Sequence, residues 1–338
     1  MVTSVVWLGE GNSLAAAPAE LISVVPGGSG PLSSFDYAPS MSGDGNIVVF
    51  NSNDFIEGLV EDVYVRNRAN GTTTHVPQPV LQFGQPLERM NGGVVSRDGC
   101  HVVFWGLYYF DFPAGEWNIY KWNRCAANSV PAEIAGGVLQ PSAFTEPLAV
   151  SADGRYVAYT AAQFSGAPPH IARIDTSTGV ESTLTVPFIN TRSIDISEDG
   201  RFIAIAGLRN VAGANSNQVL GWTPPCLNAC TLEVISVNDA GATASGFSTS
   251  PSVSADGRYV AFSSDGPELA GFPSGTPDQV YVRDRVARVT RLVTDTPGQP
   301  MPAGLGVGNP DISPDGSQVA LSQTDSFENT QVWVARST

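Results

Sequence analysis

Basic side chains are scarce in this chain of 338 residues. Lysine and arginine together number 17 against 32 acidic residues, which gives a formal net charge of −15, and Lys121 is the only lysine. A surface of this charge repels nucleic-acid phosphates and anionic lipid headgroups. We therefore expect no nucleic-acid partner.

Long apolar runs and helical patterns are also missing. No run approaches the roughly 20 apolar residues that a helix needs to span a bilayer, so we expect no membrane insertion. No window shows a convincing apolar period of 3.6 residues, which argues against long helices. The first residues, Met1 to Trp7, lack the basic start and apolar middle of a signal peptide. Either the protein is cytosolic or a leader is removed.

A short turn motif, Ser-x-Asp-Gly followed by an apolar strand, is present six times. Asp-Gly favours a β-turn because Gly adopts positive φ and Asp tolerates turn conformations. The copies recur at similar intervals over the whole chain, and strands placed around them predict four-stranded units connected by turns. The six turns begin at Ser42, Ser96, Ser151, Ser197, Ser254 and Ser313.

The fifth unit illustrates the pattern. We predict strand A before the turn, strand B after it, strand C over residues 279–283 and strand D over residues 289–293. Glycine (35) and proline (25) are abundant, as expected for many short turns. The sequence therefore predicts an all-β fold of antiparallel four-stranded sheets.

The sixth unit stops after strand C, at residues 331–336. Residues 20–25 resemble a strand D and run directly into the first strand A. We expect this N-terminal strand, about residues 20–25, to complete the unit formed by about residues 309–336. Such closure removes an exposed sheet edge.

The turn, the following strand of the type Tyr-Val-Ala-Phe (259–262) and the later strand Val-Tyr-Val-Arg-Asp (280–284) resemble the repeat of TolB-type six-bladed β-propellers. The resemblance covers about residues 20–336. It implies a single propeller domain over residues 1–338, with six blades of four antiparallel strands. Propellers of this type serve as binding proteins, protease gatekeepers and occasional lyases, so function needs a separate argument.

The six turn Asp residues are predicted to be scaffold, because they occur in every blade. The A–B and C–D connections are short, whereas the B–C and D–A connections are long and lie on the opposite side, where binding residues are usually found. Residues at the entry to the innermost strands would form a polar ligand site. These candidates are Asp36, Tyr37, Arg89, Glu146, Arg192 and Asn309.

The second B–C connection is unusually aromatic. Exposed rings there would stack on sugars or anchor a protein, and the alternative is a loop that folds on its own small core. The candidate binding residues are Trp105, Tyr108, Tyr109 and Trp117.

No organic cofactor is expected. Calcium is a candidate because two B–C connections carry several acidic oxygens, although no Asp-x-Asp-x-Asp-Gly motif is present. The candidate ligands are Asp54, Glu57, Glu61, Asp62, Asp265, Glu268 and Asp278.

Catalysis has little support in the sequence. Histidine occurs three times and the Gly-x-Ser-x-Gly nucleophile motif is absent. A polysaccharide lyase would use His170 or Tyr37 as base, with Arg89 or Arg192 neutralising a substrate carboxylate.

Four cysteines favour an oxidising compartment over a zinc site, because neither pair has zinc-type spacing. Cys100 begins strand B and Cys125 follows strand C of the same unit, so their Cα atoms are neighbours. Cys226 and Cys230 flank one turn. We expect disulfides Cys100–Cys125 and Cys226–Cys230, and four free thiols are the alternative.

The sequence thus predicts a secreted or periplasmic binding or scaffold protein. Its long connections would engage a protein or a glycan. The alternative is a carbohydrate-active enzyme, in particular a polysaccharide lyase.

Overall fold

The fold is described here by a computed structural model. It describes residues 20–27, 36–53, 61–81, 86–111, 114–138, 147–161, 170–185, 193–208, 216–225, 232–269, 278–293, 295–296, 299–300, 307–324 and 330–337.

The described residues form six antiparallel sheets that each contain one copy of the Ser-x-Asp-Gly turn, and one short two-stranded hairpin. We call each of the six sheets a blade and its strands A to D from first to last. The first three blades are β1(Asp36–Met41), β2(Ile47–Ser52), β3(Asp62–Asn67) and β4(Thr72–His75); β5(Arg89–Val95), β6(His101–Asp111), β7(Ala114–Asn123) and β8(Ala132–Val138); and β9(Leu148–Val150), β10(Tyr156–Ala161), β11(His170–Asp175) and β12(Val180–Thr185).

Two further blades have four strands and the sixth has three within the described residues. A two-stranded hairpin lies between the fifth and the sixth blade in sequence. The strands are β13(Ser193–Ile196), β14(Ile203–Leu208), β15(Gln218–Trp222) and β16(Glu233–Val234); β17(Ser248–Val253), β18(Tyr259–Ser264), β19(Gln279–Asp284) and β20(Val289–Leu292); the hairpin β21(Asp295–Thr296) and β22(Gln299–Pro300); and β23(Val307–Ile312), β24(Gln318–Thr324) and β25(Thr330–Arg336).

The fold class predicted from the repeat is confirmed: the described residues form an all-β structure without helices. None of its described elements is a helix long and apolar enough to cross a membrane.

Each A–B turn is stabilised by the same local hydrogen bonds. In the third blade Ser151 Oγ donates to Asp153 Oδ1 over 2.8 Å, the Arg155 amide donates to that oxygen over 2.9 Å, and the Tyr156 amide donates to Ser151 Oγ over 2.9 Å. Gly154 closes the turn with φ of +70°. The serine-to-aspartate bond recurs in the other five turns. The predicted scaffold role of these aspartates follows from this geometry.

The chain divides into two compact units. The N-terminal unit comprises Ile22–Ile205 and Gly221–Leu232, and it contains the first three blades. The C-terminal unit comprises Met1–Leu21, Ala206–Leu220 and Glu233–Thr338, and it contains the fifth and sixth blades.

Neighbouring blades within a unit share apolar cores. In the N-terminal unit, the first and second blades bury Val49, Val63, Phe104 and Tyr120 together, and a second cluster joins the second blade to the third. In the C-terminal unit, side chains of the fifth and sixth blades form a common cluster that includes Val282 and Leu321. Burial of these faces holds consecutive blades together.

The segment predicted to close the last blade contacts the first blade. Ile22 and Val25 pack against the stacked rings of Phe50 and Tyr64, and Val24 is buried. Completion of the sixth blade by residues 20–25 stays a prediction, since β25 is the last strand of that sheet among the described residues.

The second B–C connection differs from the predicted loop. Residues 101–111 and 114–123 form one long hairpin, in which Tyr108 pairs with Glu116 and Asp111 with Ala114. Its strands have 11 and 10 residues, whereas the equivalent strands β2 and β3 of the first blade have 6 residues each. The hairpin is rich in aromatic residues, which favour the extended conformation.

Candidate functional site

The two sides of a blade carry different connections. We call the side of the A–B and C–D turns the turn side, and the side of the B–C and D–A connections the loop side. The loop side is where the innermost strands β1, β5, β17 and β23 begin, and it is the candidate site.

A β-bulge interrupts each of these four strands near its loop-side end. The register shifts between Tyr37 and Ser40, Asn91 and Val94, Thr249 and Ser252, and Gly308 and Asp311. Bulges redirect side chains and often occur beside binding sites. The bulge therefore marks one repeated feature of the loop side that the sequence pattern did not reveal.

Two bulges hold non-glycine residues in the left-handed region. Ser250 has φ of +51° and Asn309 has φ of +49°, and each precedes a proline. The Ser250 hydroxyl lies 3.4 Å from Asn309 Oδ1, so the two bulges of the C-terminal unit are in contact. Strained residues of this kind concentrate at functional sites.

Four of the six residues of the predicted polar ligand site lie within the described part of the chain. Arg89 begins β5 and is exposed, and Asn309 is exposed on the bulge of β23. Asp36 and Tyr37 form the first two positions of β1, paired with Ser52 and Asn51. The remaining candidates, Glu146 and Arg192, lie outside the described residues. The assignment of these residues to a ligand site stays a prediction.

The aromatic candidates require a correction. Trp105 and Trp117 are 1% and 7% exposed, because both pack in the core between the second and third blades. Their rings are therefore not available as stacking surfaces. The alternative, a loop that folds on its own small core, is not found for these two residues either. The apolar cluster that contains Trp105 and Trp117 also includes Leu148 and Tyr159 of the third blade.

Tyr108 lies on the part of the hairpin that extends beyond β5 and β8. Its hydroxyl donates to Glu116 Oε2 over 2.8 Å, and this hydrogen bond, with burial, raises the pKa of Tyr108 to about 12. Tyr108 is thus a neutral donor fixed to the opposite strand. Tyr109 lies next to it in β6.

The calcium candidates of the first blade have other partners. Asp62 is fully buried, accepts the Val63 amide and pairs with His75 Nε2. Glu61 accepts a hydrogen bond from the Asn91 amide group over 3.2 Å. Asp54 and Glu57 lie outside the described residues.

The calcium candidates of the fifth blade fix a backbone segment. Asp265 Oδ1 accepts the Phe247 amide over 2.5 Å, and Glu268 Oε2 accepts the Ser245 amide over 2.9 Å. Burial opposes ionisation of Glu268, but its bonds to Ser245 lower its pKa overall. Burial and the nearby charge of Asp265 raise the pKa of Asp278. Within the described residues no group of three or more metal-binding side chains comes together.

The segment fixed in this way, residues 238–247, connects β16 to β17 on the loop side. A buried Gln218 donates from Nε2 to the carbonyls of Ala244 (3.0 Å) and Gly246 (3.2 Å), and accepts from Ser236 Oγ over 2.6 Å. The Asn238 amide group reaches the Glu268 carbonyl over 3.1 Å. We call residues 238–247 the pinned loop, because side chains from several elements hold its backbone.

Phe247 ends the pinned loop and is 50% exposed. It contributes an apolar ring to the loop side from a backbone held by Asp265. The long connection is visible in the sequence, but Phe247 was not among the predicted binding residues. The signal available was a single large aromatic in a stretch of small and polar residues.

The lyase candidates are not assembled into a catalytic group by the described residues. His170 begins β11 on the loop side, is partly buried, and pairs with Ala161 and Thr185 along the backbone. Arg89 is exposed at the start of β5. The roles proposed for His170, Tyr37, Arg89 and Arg192 stay predictions.

One predicted disulfide is confirmed. Cys100 and Cys125 are bonded, with Cα atoms 5.1 Å apart. The bond lies on the turn side of the second blade, at the base of the β6–β7 hairpin. Cys226 and Cys230 lie outside the described residues.

Comparisons with known proteins support the fold. The propeller domain of the trilobed protease from Pyrococcus furiosus matches 89% of this chain and 82% of its own, at 11% identity and a TM-score of 0.58. The fold is a six-bladed β-propeller. The acylaminoacyl peptidase of Pyrococcus horikoshii is similar, at 12% identity and a TM-score of 0.56, over 90% of this chain but 46% of that protein.

A putative TolB from Agrobacterium tumefaciens matches 90% of both chains at 18% identity and a TM-score of 0.49. This chain spans 65% of the TolB structure from Acinetobacter baumannii, which is slightly less than two thirds of it. The propeller fold predicted from the repeat is confirmed. No protein-family model matches the chain, and a search of curated protein sequences finds no match.

Proposed function

We propose that this propeller is a binding protein of an oxidising compartment, secreted or periplasmic, that engages a protein partner through its loop side. The proposal rests on the exposure of Phe247. Its aromatic ring is half-exposed, and it lies on a loop whose backbone is held by the buried Gln218 and by the carboxylate of Asp265. Interfaces are anchored by rigid aromatic residues, because little conformational entropy is lost when they bind.

The disulfide supports the compartment, since such bonds persist outside reducing cytosol. A protein partner is favoured over a glycan because Trp105 and Trp117, the tryptophans expected to stack on sugars, are buried. The long β6–β7 hairpin adds a second element to the loop side of its own blade. Leu107 pairs with Arg89 at the start of β5, and the hairpin continues beyond this pair as far as Asp111 and Ala114.

The test is site-specific photo-crosslinking in the native cell. A benzophenone amino acid replaces Phe247, and in a control it replaces Val180, which is 63% exposed on the turn side of the third blade. We expect one discrete protein adduct from position 247 and none from position 180. With the purified partner, Phe247→Ala should weaken binding about tenfold or more, and Val180→Ala should not.

Equal adducts from both positions, or none from either, would contradict the proposal. Binding to a glycan array that is lost in Phe247→Ala would replace the protein partner by a glycan.

The alternative is a polysaccharide lyase. One observation favours it: His170 lies partly buried at the loop-side end of β11, and an oligogalacturonate lyase crystallised with manganese has a similar fold, at 12% identity and a TM-score of 0.50. An unsaturated, ultraviolet-absorbing product that disappears in His170→Ala would establish this function. Calcium or manganese dependence would be measured in the same assay.

A further inference from the structure

A cleft of about 320 Å³ opens on the turn side of the fifth blade. Its lining is formed by one face of β18, β19 and β20 together with Ser337 after β25. The lining residues are Arg258, Tyr259, Val282, Asp284, Ala287, Val289, Arg291 and Ser337.

The equivalent position in two other blades is filled by a long cationic side chain. In the third blade Ala158 pairs with Arg173, whose guanidinium donates to the Gly200 carbonyl over 2.8 Å and lies 4.5 Å from the ring centre of Tyr156. In the second blade Val103 pairs with Lys121, whose ammonium donates to the Gly154 carbonyl over 2.5 Å. Both carbonyls belong to the A–B turn of the next blade.

The fifth blade differs from these two and carries a valine at this position, as do the first blade, where Val49 pairs with Val65, and the sixth, where Ala320 pairs with Val334. In the fifth blade Ala261 pairs with Val282, which is too short to reach the next turn. The carbonyl of Gly316, which would receive the cation, accepts the Ser337 hydroxyl instead. The backbone acceptor is therefore satisfied, and the volume that a lysine or arginine side chain would fill is left as the cleft.

The charges at the cleft favour an anion. Arg258 is neutralised by Asp284, with guanidinium nitrogens 3.1 and 2.7 Å from the two carboxylate oxygens. Arg291, opposite Val282 on β20, is exposed and forms no ion pair within the described residues. Arg291 leaves the cleft with one uncompensated positive charge on a protein whose net charge is −15.

The remaining lining is apolar. Tyr259, Val282, Ala287 and Val289 provide a surface for an aliphatic or aromatic group beside Arg291. A pocket of this size with few polar groups suits a small ligand or the end of a peptide. From the cleft, its missing cation and the free Arg291 we infer that this is a binding site for a carboxylate attached to an apolar group.

The test uses N-acetyl-L-phenylalanine as probe and its neutral amide as control, with binding followed by ligand-observed NMR. We expect the acid to bind and the amide to bind at least about tenfold more weakly, because the charge-assisted hydrogen bond to Arg291 is lost. Arg291→Gln should weaken binding of the acid to the same extent. The control is Arg201→Gln, at an arginine of the fourth blade whose side chain is 82% exposed. This variant should bind the acid as tightly as the wild-type protein does.

Val282→Arg is the sharper variant. It recreates the side chain found at Arg173 and should fill the cleft, which abolishes binding. Because Val282 also packs in the cluster shared by the fifth and sixth blades, thermal unfolding of this variant is measured beside its binding, and Arg291→Gln keeps the test decisive if the variant is destabilised. A second probe, 3-phenylpropionate, distinguishes a free apolar acid from a peptide C-terminus as the ligand. If it binds as tightly as N-acetyl-L-phenylalanine, the ligand is a free acid. If N-acetyl-L-phenylalanine binds more tightly, the ligand is a peptide C-terminus. Undetectable binding of both acids, or binding unaffected by both Arg291→Gln and Val282→Arg, would overturn the inference.

Discussion

The turn side and the loop side of the blades differ in how strictly they repeat. All six A–B turns use the same serine-to-aspartate bond and a glycine at φ between +70° and +73°. The loop side instead carries a long hairpin in one blade, a pinned loop in another and bulges in four. The A–B turns, which repeat in every blade, are scaffold, and the variation on the loop side is where recognition can evolve.

The turns also join neighbouring blades, which explains their uniformity. The residue between Ser and Asp bonds to its counterpart in the next blade: the Gly43 amide donates to the Arg97 carbonyl, and the Ala152 amide to the Glu198 carbonyl. The turn glycine then receives a side chain from the preceding blade. Tyr156 covers Gly200 and His101 covers Gly154, so a Cβ at either glycine would lie 2.2 Å from the neighbour's ring.

Gly154→Ala is predicted to have the largest effect on stability. It forces a left-handed alanine and a clash with His101, and we expect a loss of about 3–4 kcal/mol in the free energy of unfolding. Gly179→Ala is the matched control, with φ of +71° and nothing within 4 Å of the added Cβ. It should cost about 1 kcal/mol. Chemical denaturation measures both, and equal losses would show that contact between blades is not what fixes the turn.

The second prediction concerns the disulfide at the base of the longest hairpin. Replacing both Cys100 and Cys125 by serine should destabilise the protein by about 3 kcal/mol, because the bond closes a segment with a sequence separation of 25. Thermal unfolding of the oxidised and reduced wild-type protein, beside the double variant, measures the loss. An oxidised protein no more stable than the variant would mean that the bond does not constrain the unfolded chain.

The turn side could be predicted from the sequence because its chemistry is local. Ser and Asp two residues apart form the turn without help from the rest of the chain, so six copies identify six blades. Cys100 and Cys125 were paired correctly for a related reason: antiparallel pairing of adjacent strands places the start of one beside the end of the next.

The loop side could not be predicted in the same way. Burial of Trp105 depends on the third blade packing against the hairpin, which no local pattern encodes. The roles of Asp265 and Glu268 depend on a loop that approaches them from the preceding blade, so acidic residues that suggested calcium instead accept backbone amides. The bond between Asp265 and the Phe247 amide also holds the backbone where the Phe247 ring is exposed.

The smallest predicted effect compares two carboxylates at opposite ends of β19. On the turn side, hydrogen bonds from Arg258 lower the pKa of Asp284 from 3.8 to about 2. On the loop side, burial and the charge of Asp265 raise the pKa of Asp278. Ionisation therefore favours the folded state at one end of the strand and opposes it at the other.

Because the folded pKa of Asp284 lies below its unfolded value near 4, its contribution is complete above about pH 4 and is lost as the pH falls toward 2. Asp284→Asn should cost about 1 kcal/mol at pH 7, since Arg258 is partly exposed to solvent, and the difference from wild type should shrink to a small part of that near pH 2. Asp278→Asn should bring no loss at pH 7, because the ionised carboxylate it removes is disfavoured in the fold. Urea unfolding at pH 7, 4 and 2 measures both. A cost for Asp284→Asn that is as large at pH 2 as at pH 7 would show that the ionised charge paired with Arg258 is not what makes this residue stabilising.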